Sequence, residues 1–436
     1  MPPLTADPDD RLSAAAGAIR DIAERFQSQW QRHREHLHAN PELTEHEFET
    51  TRWIARQCES MGLSPRVTSV DRGLVCDLDP TDSSSVDPPT RRVLVRGDID
   101  ALPIQTTSSA TYRSTVADVM HACGHDVHTV CTLGAMQIIE KLRQCDDASV
   151  RRLASAASVR FCFQPAEENS TGGPLMVAEG ATKDCAAAVA LHSDPGRAVG
   201  TIGVRWGSFT ASCDVFTATF SGRGGHGARP HLTDDCLSAA MDWTDQIYRR
   251  IPRSVDARTP VVVNVGTLHA GTAPNVIPAT ATISGTLRST TNEGRDQSAT
   301  LMRTIADAVA ATHGCRCDLT FGVSNPPVIN DDTVSDAIAK SATLLLGPES
   351  VQTMTLPSMG AEDFAFIAAE LPAAMFRLGI ASAPSRDAAD QTDRLGHNPL
   401  HTPDFDVDPQ CLRTGASVLA LSALLLSTSE PNPPGH

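Results

Sequence analysis

His121, Cys123, His125 and His128 fall within one eight-residue segment, His121-Ala-Cys-Gly-His-Asp-Val-His128. Thiolate and imidazole are good ligands for zinc and its borderline neighbours. Cys123 and His125 stand two apart in a glycine-containing loop just ahead of a helix-like stretch, so both can aim at one point. An isolated Cys–His pair is usually a packed thiol and a surface histidine. Three histidines and a cysteine in so short a run make that bland reading the poorer one. The chemistry such a cluster suggests is metal-assisted hydrolysis.

Other metal-capable groups follow short apolar runs. Asp98 and Asp100 come after Val93–Val95, Glu167 and Glu168 after Val159–Phe163, and His192 after Ala186–Leu191. In open α/β sheets, sites collect at the carboxyl ends of strands, so one pocket would explain all three placements. A Glu-Glu dipeptide is ordinarily a solvated turn. Beside a metal it has a sharper use: one carboxylate ligates while its neighbour takes a proton from water and passes it to a leaving amine. Gly222, Gly224 and Gly227 form a G-x-G-x-x-G match, but Arg229-Pro230 interrupts before a helix can begin, which weakens a dinucleotide-binding reading. The same loop can instead present His226 to a substrate. Asn275 in Asn275-Val-Ile-Pro278 and Arg288 lie further on, and Arg288 can grip a carboxylate in the bidentate manner of guanidinium. Near the C-terminus, His397 and His401 are both possible ligands, and spacing alone does not choose between them.

These groups need a scaffold. Two helical stretches are expected at Ala18–His38 and Glu45–Met61, with core positions Ile22, Phe26, Trp30, Leu37, Trp53, Ile54 and Met61. Leu78 to Thr90 reads as a proline-rich surface loop. Beyond it, Val93–Val95, Val159–Phe163, Ala186–Leu191 and Met375–Leu378 alternate with helix-like stretches such as Val127–Leu142, the pattern of an α/β domain with a largely buried sheet. From Ser208 to Phe321 the pattern changes. Val215–Phe220, Val261–Val265 and Ala279–Leu287 read as strands with one polar face, interleaved with helices at Asp235–Arg250 and Gly294–His313. A smaller α+β domain over residues 208–321, inserted between residues 1–207 and 322–436, is the expected organisation.

At 436 residues two domains are the prior. A formal charge of −16 argues against nucleic acid as a partner. No run of about 18 uninterrupted apolar residues suggests a membrane span, and the first twenty residues do not read as a signal peptide. The twelve scattered cysteines read as free thiols in a reducing compartment, the cytoplasm by default.

Taken in order, nine short segments resemble the M20 metallopeptidase family, in its aminoacylase/amidohydrolase branch of hippurate and auxin-conjugate hydrolases. They are Leu37-His-Ala-Asn-Pro-Glu-Leu43, Arg96-Gly-Asp-Ile-Asp-Ala-Leu-Pro103, His121–His128, Phe163-Gln-Pro-Ala-Glu-Glu168 and Ala190-Leu-His192. Gly224-Gly-His-Gly-Ala-Arg-Pro-His231, Asn275–Pro278, Glu362-Asp-Phe364 and Leu400-His-Thr-Pro403 complete the series. The resemblance implies an α/β zinc-peptidase-like catalytic domain with a mostly buried mixed sheet, and an inserted α+β lid domain through which a homodimer forms. It also implies two divalent ions per subunit, zinc, manganese, cobalt or nickel, held by Cys123, His125, Glu168, His192 and His401, with Cys123 bridging. His401 is preferred to His397 because it occupies the Leu-His-Thr-Pro slot. Glu167 matches the general acid/base, Asp98 and Asp100 would orient ligands, and His226 would polarise the scissile carbonyl across the dimer. Asn275 and Arg288 would contact an N-acyl amino acid substrate. Asn169-Ser-Thr after the Glu pair and Ser193-Asp194 after His192 depart from the usual pattern beside the pocket. Alternatives are a dipeptidase or N-carbamoyl amino acid hydrolase of the same metal chemistry, an NAD(P)-dependent oxidoreductase, and an inactive binding module.

Overall fold

The computed structural model describes residues 8–81, 91–382 and 399–428, which divide into two units. The first comprises residues up to Gly207, then Asn330–Thr355 and the chain from Phe366 on; the second comprises Ser208–Ile329 and Leu356–Ala365.

The first unit opens with helices α1 (Pro8–Ala39) and α2 (Phe48–Ser60). Ile19, Ile22, Trp30 and Leu37 recur at helical spacing on α1, and all four are buried. The helix starts at Pro8, ten residues ahead of the expected Ala18, because Leu12, Ala15 and Ala16 extend the same buried stripe. Strands β1 (Pro65–Val67), β2 (Leu74–Leu78) and β3 (Arg92–Asp98) follow, then α3 (His125–Leu142) and α4 (Ala148–Ala156). Strands β4 (Val159–Gln164), β5 (Cys185–Ala198) and β6 (Ile202–Val204) bring the chain to its exit. Every residue of β4 is buried, as are six of the seven in β3, so these strands read as continuous apolar runs rather than alternating ones. His192 lies inside β5 and not beyond its end, since the strand continues through Ala198.

The second unit holds strands β7 (Cys213–Ser221), β8 (Val261–Ala270), β9 (Thr280–Ser289) and β10 (Arg316–Asn325), with helices α5 (Cys236–Arg250) and α6 (Asn292–His313). Its sheet order is β8-β9-β7-β10, every neighbour antiparallel. Asp214, Phe216, Ala218 and Phe220 of β7 are buried while the residues between them are more exposed, the alternation of a sheet with one wet face. Those phenylalanines pack with Trp243 of α5, and Met302 and Ile305 of α6 join the same core. The sequence pattern left β10 unassigned, and the expected return to the first unit at residue 322 moves to 330. Cys317, Leu319 and Phe321 alternate with polar Arg316, Asp318 and Thr320 along β10, the period-2 pattern of an edge strand with one wet face.

Back in the first unit come α7 (Asp332–Leu346), β11 (Val351–Thr353), β12 (Ala373–Ala381) and α8 (Cys411–Thr428). The eight-stranded sheet runs β1-β2-β4-β3-β5-β12-β6-β11. Its centre, β4-β3-β5-β12, is parallel, and the flanks at β2 and β6 are antiparallel to it, so the sheet is mixed. Helix α8 is long and apolar enough to cross a membrane, but 83% of it is buried inside this unit, where it packs on α3 and α1.

One buried ion pair ties three segments together. Arg34 of α1 donates Nε to Asp126 Oδ2 at 2.8 Å and Nη1 to Asp406 Oδ1 at 2.9 Å, and His38 Nδ1 meets the same Asp126 oxygen at 2.8 Å. Arg34 and Asp126 are both excluded from water. Burial works against the Asp126 charge, yet Arg34 and His38 hold its carboxyl far below the usual range. Arg34→Leu would leave that charge underpaired. The variant is expected to lose roughly 3–5 kcal/mol of stability, read as a lowered urea midpoint; an unchanged midpoint would contradict the role given to the pair.

Candidate metal centre

Three local features bring five donors of the first unit to one place. Gly124, at φ +86°, stands between Cys123 and His125 and ends the loop that starts α3. A Cβ there would lie 2.6 Å from Ser193 Oγ, so the position needs glycine for its conformation and its space. After β4, Ala166 at φ +53° turns the chain so that Glu167 and Glu168 face the same region. The third feature is the return of the chain near its C-terminus: His401 N donates to Ala122 O at 2.7 Å, pinning this histidine beside Cys123.

The donors fall into two groups that share the Cys123 sulfur. Cys123, His125 and His192 form one; Cys123, Glu168 and His401 form the other, with the donor atoms of each within 4.8 Å of one another. His192 Nε2 lies 3.7 Å from Cys123 Sγ and His401 Nε2 lies 3.3 Å from it. Tetrahedral bonds of 2.0–2.3 Å separate neighbouring donors by roughly 3.3–3.8 Å, so these spacings suit a shared divalent ion.

Hydrogen bonding decides which ring nitrogens are free to ligate. His125 Nδ1 lies 3.0 Å from both Asp100 Oδ1 and Asp100 O, and His192 Nδ1 lies 2.8 Å from Ser193 O. An imidazole that donates from Nδ1 offers a lone pair at Nε2. His125 Nε2 and Glu168 Oε1 are indeed buried without any hydrogen-bond partner. Buried polar atoms left in this way are costly, and a cation in each of the two Cys123-sharing groups would satisfy them.

Asp100 also accepts from Thr44 Oγ1 at 2.8 Å and from the Glu168 backbone N–H at 3.1 Å, so one carboxylate orients two donors. Asp98 meets Arg96 at 2.7 Å and His128 Nδ1 at 2.6 Å. His128 Nε2 accepts from Ser193 N at 2.9 Å, which occupies its second nitrogen and removes it from the ligand set. His121 is 1% exposed with neither ring nitrogen bonded, and burial lowers its pKa to about 4, so it stays neutral at physiological pH. Sequence reasoning missed Thr44 and Ser193 as supports; neither carries a recognisable ligand pattern, and only the fold brings them to Asp100 and His128. His397 lies outside the described residues.

His226, Asn275 and Arg288 belong to the second unit. His226 pairs with Val276 on a two-stranded ribbon, and Gly227 N donates to Asn275 O at 2.8 Å, so His226 and Asn275 share one exposed edge. Ala228 N donates to His226 Nδ1 at 3.1 Å, which leaves Nε2 of the neutral ring as a donor. Arg288, half-buried on β9, gives Nη1 to Met359 O at 2.9 Å. The glycine run near His226 leads into a short 3₁₀ turn, Pro230–Leu232, and the helix begins only at Cys236, which is not a dinucleotide-binding arrangement.

The family model for peptidase family M20/M25/M40 matches residues 94–424. The chain belongs to this family. N-acetylcysteine deacetylase of Bacillus subtilis is 31% identical over 91% of this M20 chain and 96% of its own length. An IAA-amino acid hydrolase ILR1-like protein of Arabidopsis thaliana is 32% identical over 90% and 83%, respectively. Among solved structures, a Bacillus subtilis dinuclear metal-binding peptidase of family M20 superposes with a TM-score of 0.75 at 28% identity, over 93% of this chain and 99% of that one. A chain from methicillin-resistant Staphylococcus aureus reaches a TM-score of 0.83 at 24% identity, over 94% and 99%, which shows the shared fold.

The sharing of Cys123 has a measurable consequence. Cys123→Ala is expected to lower metal content at both positions, whereas His192→Ala and His401→Ala each lower one, as read by elemental analysis. Full metal content in Cys123→Ala would exclude a shared sulfur. Protons compete for the same donors: burial raises the Cys123 thiol and pushes Glu168 up to about 7. A raised pKa means the metal-free site holds protons at neutral pH, so metal retention during dialysis is expected to fall as pH drops below about 7.

Proposed function

We propose that this M20 hydrolase cleaves the amide bond of N-acyl amino acids or related amino-acid conjugates, giving a carboxylic acid and a free amino acid. The observation that carries this reading is Glu167, a carboxylate placed at the donor cluster but outside both Cys123-sharing groups. Its Oε2 lies 3.9 Å from His125 Nε2, and its side chain is 10% exposed. The relatives that remove an acetyl group from N-acetylcysteine and an IAA group from amino acids support the substrate class.

Cys123, His125 and His192 would hold one divalent ion, and Cys123, Glu168 and His401 a second, chosen from zinc, manganese, cobalt and nickel. Such ions supply Lewis acidity and bring the pKa of water close to neutrality. Glu167 accepts the proton of the attacking water as oxygen adds to the acyl carbon. The same carboxyl then delivers that proton to the departing nitrogen, so the amine leaves neutral. His226 donates its Nε2–H to the carbonyl oxygen as negative charge develops there. In this reading His226 acts across a homodimer formed through the second unit, and Asn275 and Arg288 contact the amino-acid half of the substrate.

A carboxypeptidase reading uses the same residues. It is favoured by a thermostable carboxypeptidase of Saccharolobus solfataricus, 30% identical over 90% of this chain. Both substrate types place an amide beside a free carboxylate, and a metal-supplemented panel of N-acetyl amino acids, N-carbamoyl amino acids and dipeptides ranks them by kcat/KM.

Glu167→Gln is expected to keep its metal while kcat falls by ~10²-fold or more. Near-normal turnover in that variant would remove the proton-transfer role. The cross-subunit role has its own check: mixing inactive Glu167→Gln with inactive His226→Ala should restore part of the activity, because hybrid dimers contain one intact site. No recovery from mixed and exchanged subunits would place His226 in its own chain's site or outside the reaction.

A further inference from the structure

The turn that carries Glu167 and Glu168 is held in an unfavourable backbone conformation, and the group that holds it is far away in sequence. Ala166 stands at φ +53°, a region a non-glycine residue occupies only when its surroundings enforce it. Its N–H donates to Glu47 Oε1 at 2.9 Å, and the same oxygen accepts from Glu45 N at 2.9 Å. On the far side, Ala166 O accepts from Thr171 N at 3.2 Å and Gly172 N at 3.0 Å. A Cβ at Gly172 would come within 1.6 Å of Pro165 O, so the turn has no slack there.

Glu47 begins α2, and the bland reading makes it an ordinary helix cap. Its side chain caps nothing in that helix. Glu42 does that work instead, accepting from Glu49 N at 3.1 Å and Thr50 N at 2.7 Å. Glu47 is also fully buried, with Oε2 lacking any hydrogen bond and Arg72 no closer than 3.8 Å. Burial first, then the charge of Asp100, push its pKa up to about 7. A buried carboxyl this poorly compensated is unfavourable for stability alone. Its use must lie in what Oε1 holds.

We propose that Glu47 is a positioning residue for the reaction: by fixing the Ala166 amide it sets the direction in which Glu167 leaves the turn. The neighbouring residues act in the same sense. Thr44 holds Asp100, and Glu45 Oε1 accepts from Thr171 Oγ1 at 3.1 Å, so the segment between α1 and α2 grips the turn on both sides. This inference rests on the reading of Glu167 as the proton-transfer group.

The test compares Glu47→Gln, Glu47→Met and Glu47→Asp in the metal-loaded, full-length enzyme, with Glu167→Gln alongside. Gln keeps an acceptor at the right reach, Met keeps the volume without the acceptor, and Asp keeps the charge but withdraws it from Ala166. Met and Asp are expected to lower kcat by roughly ten- to a hundred-fold, as small misplacements of a reacting group do, with KM and metal content unchanged. Gln is expected to restore kcat to near the wild-type value. Should Glu47→Met fail to fold, the Asp and Gln pair carries the comparison. Wild-type kcat in the Met or Asp variant overturns the proposal, and so does a loss that appears only together with lost metal or equally in Gln. Near-normal turnover in Glu167→Gln would instead remove the proton-transfer reading on which the clamp rests. An inactive Glu167→Gln beside a fully active Glu47→Asp removes the clamp alone.

Discussion

The Cys123 sulfur belongs to both donor groups, so whatever fixes that one atom fixes the whole centre. Its position depends on the left-handed Gly124, which lets the loop deliver Cys123 and His125 from opposite sides of one turn into a helix. It depends equally on Ser193, packed where a side chain at residue 124 would have to go, and on the His401 amide bonded to Ala122. Segments from residue 122 to residue 401 therefore converge through short-range steric and hydrogen-bond constraints, and the parallel strands β4, β3 and β5 supply a rigid frame for them. A centre assembled from such distant pieces forms only after the sheet has formed. Divalent ions that bind the assembled donors and not the unfolded chain would stabilise the first unit by mass action.

The cost of placing these groups out of water is met by layered pairing rather than by any single bond. Asp98, fully buried, is disfavoured as an anion by burial, yet Arg96 and the nearby imidazoles hold its carboxyl well below the usual range. Asp100 is treated likewise by His125 and Thr44. Asp100 accepts from His125 Nδ1 and so turns Nε2 towards the donor cluster. Burial works against the imidazolium, yet Asp98, Cys123 and Asp100 hold the His125 pKa well above its ordinary value, so a metal ion would displace a proton from Nε2. By contrast, Cys123 and Glu168 are left without comparable support, and their pKa values rise. The contrast separates two kinds of group: the Asp98 and Asp100 carboxylates are satisfied by protein, whereas a cation would satisfy the Cys123 and Glu168 donors.

Much of this was legible in the sequence because it is local or motif-bound. The Cys123–His125 spacing, the Glu167-Glu168 pair and the apolar runs of β3, β4 and β5 all announce themselves within a few residues. The mixed α/β fold and family membership follow from their order along the chain. What stayed hidden depends on tertiary position. β10 alternates Cys317, Leu319 and Phe321 with polar residues, a local strand signal, but its place at the sheet edge is set only by pairing with β7. His192 reads as a strand end because polar Ser193 and Asp194 follow it, although both continue β5 and Ser193 serves His128. Nothing in the composition of Thr44 or Glu47 distinguishes either from the polar residues at any helix start; their meaning lies in partners 56 and 119 residues away.

Backbone strain is found at several of the same places. Of the seven described non-glycine residues at positive φ, Asp71, Asp118 and Asp184 lie elsewhere, while Ala166, Ser170, Glu45 and His401 each sit in a segment that carries or braces a donor. Such conformations cost on the order of 1–3 kcal/mol each and persist only when neighbouring contacts over-determine them. Here the contacts are identifiable: Glu47 and Gly172 on Ala166, Thr171 on Glu45, Ala122 on His401. A relaxed turn at Ala166 would swing the Glu167 and Glu168 side chains away from their neighbours, and one at His401 would remove a donor from Cys123. The strain is the consequence of requiring consecutive residues to do unlike jobs, since Glu168 joins a Cys123-sharing group while Glu167 beside it faces His125 without joining either. An unstrained extended backbone sends successive side chains to opposite faces, and an unstrained helix turns them about 100° apart. Neither geometry aims two adjacent carboxylates into one pocket, which is why the chain leaves both at this point.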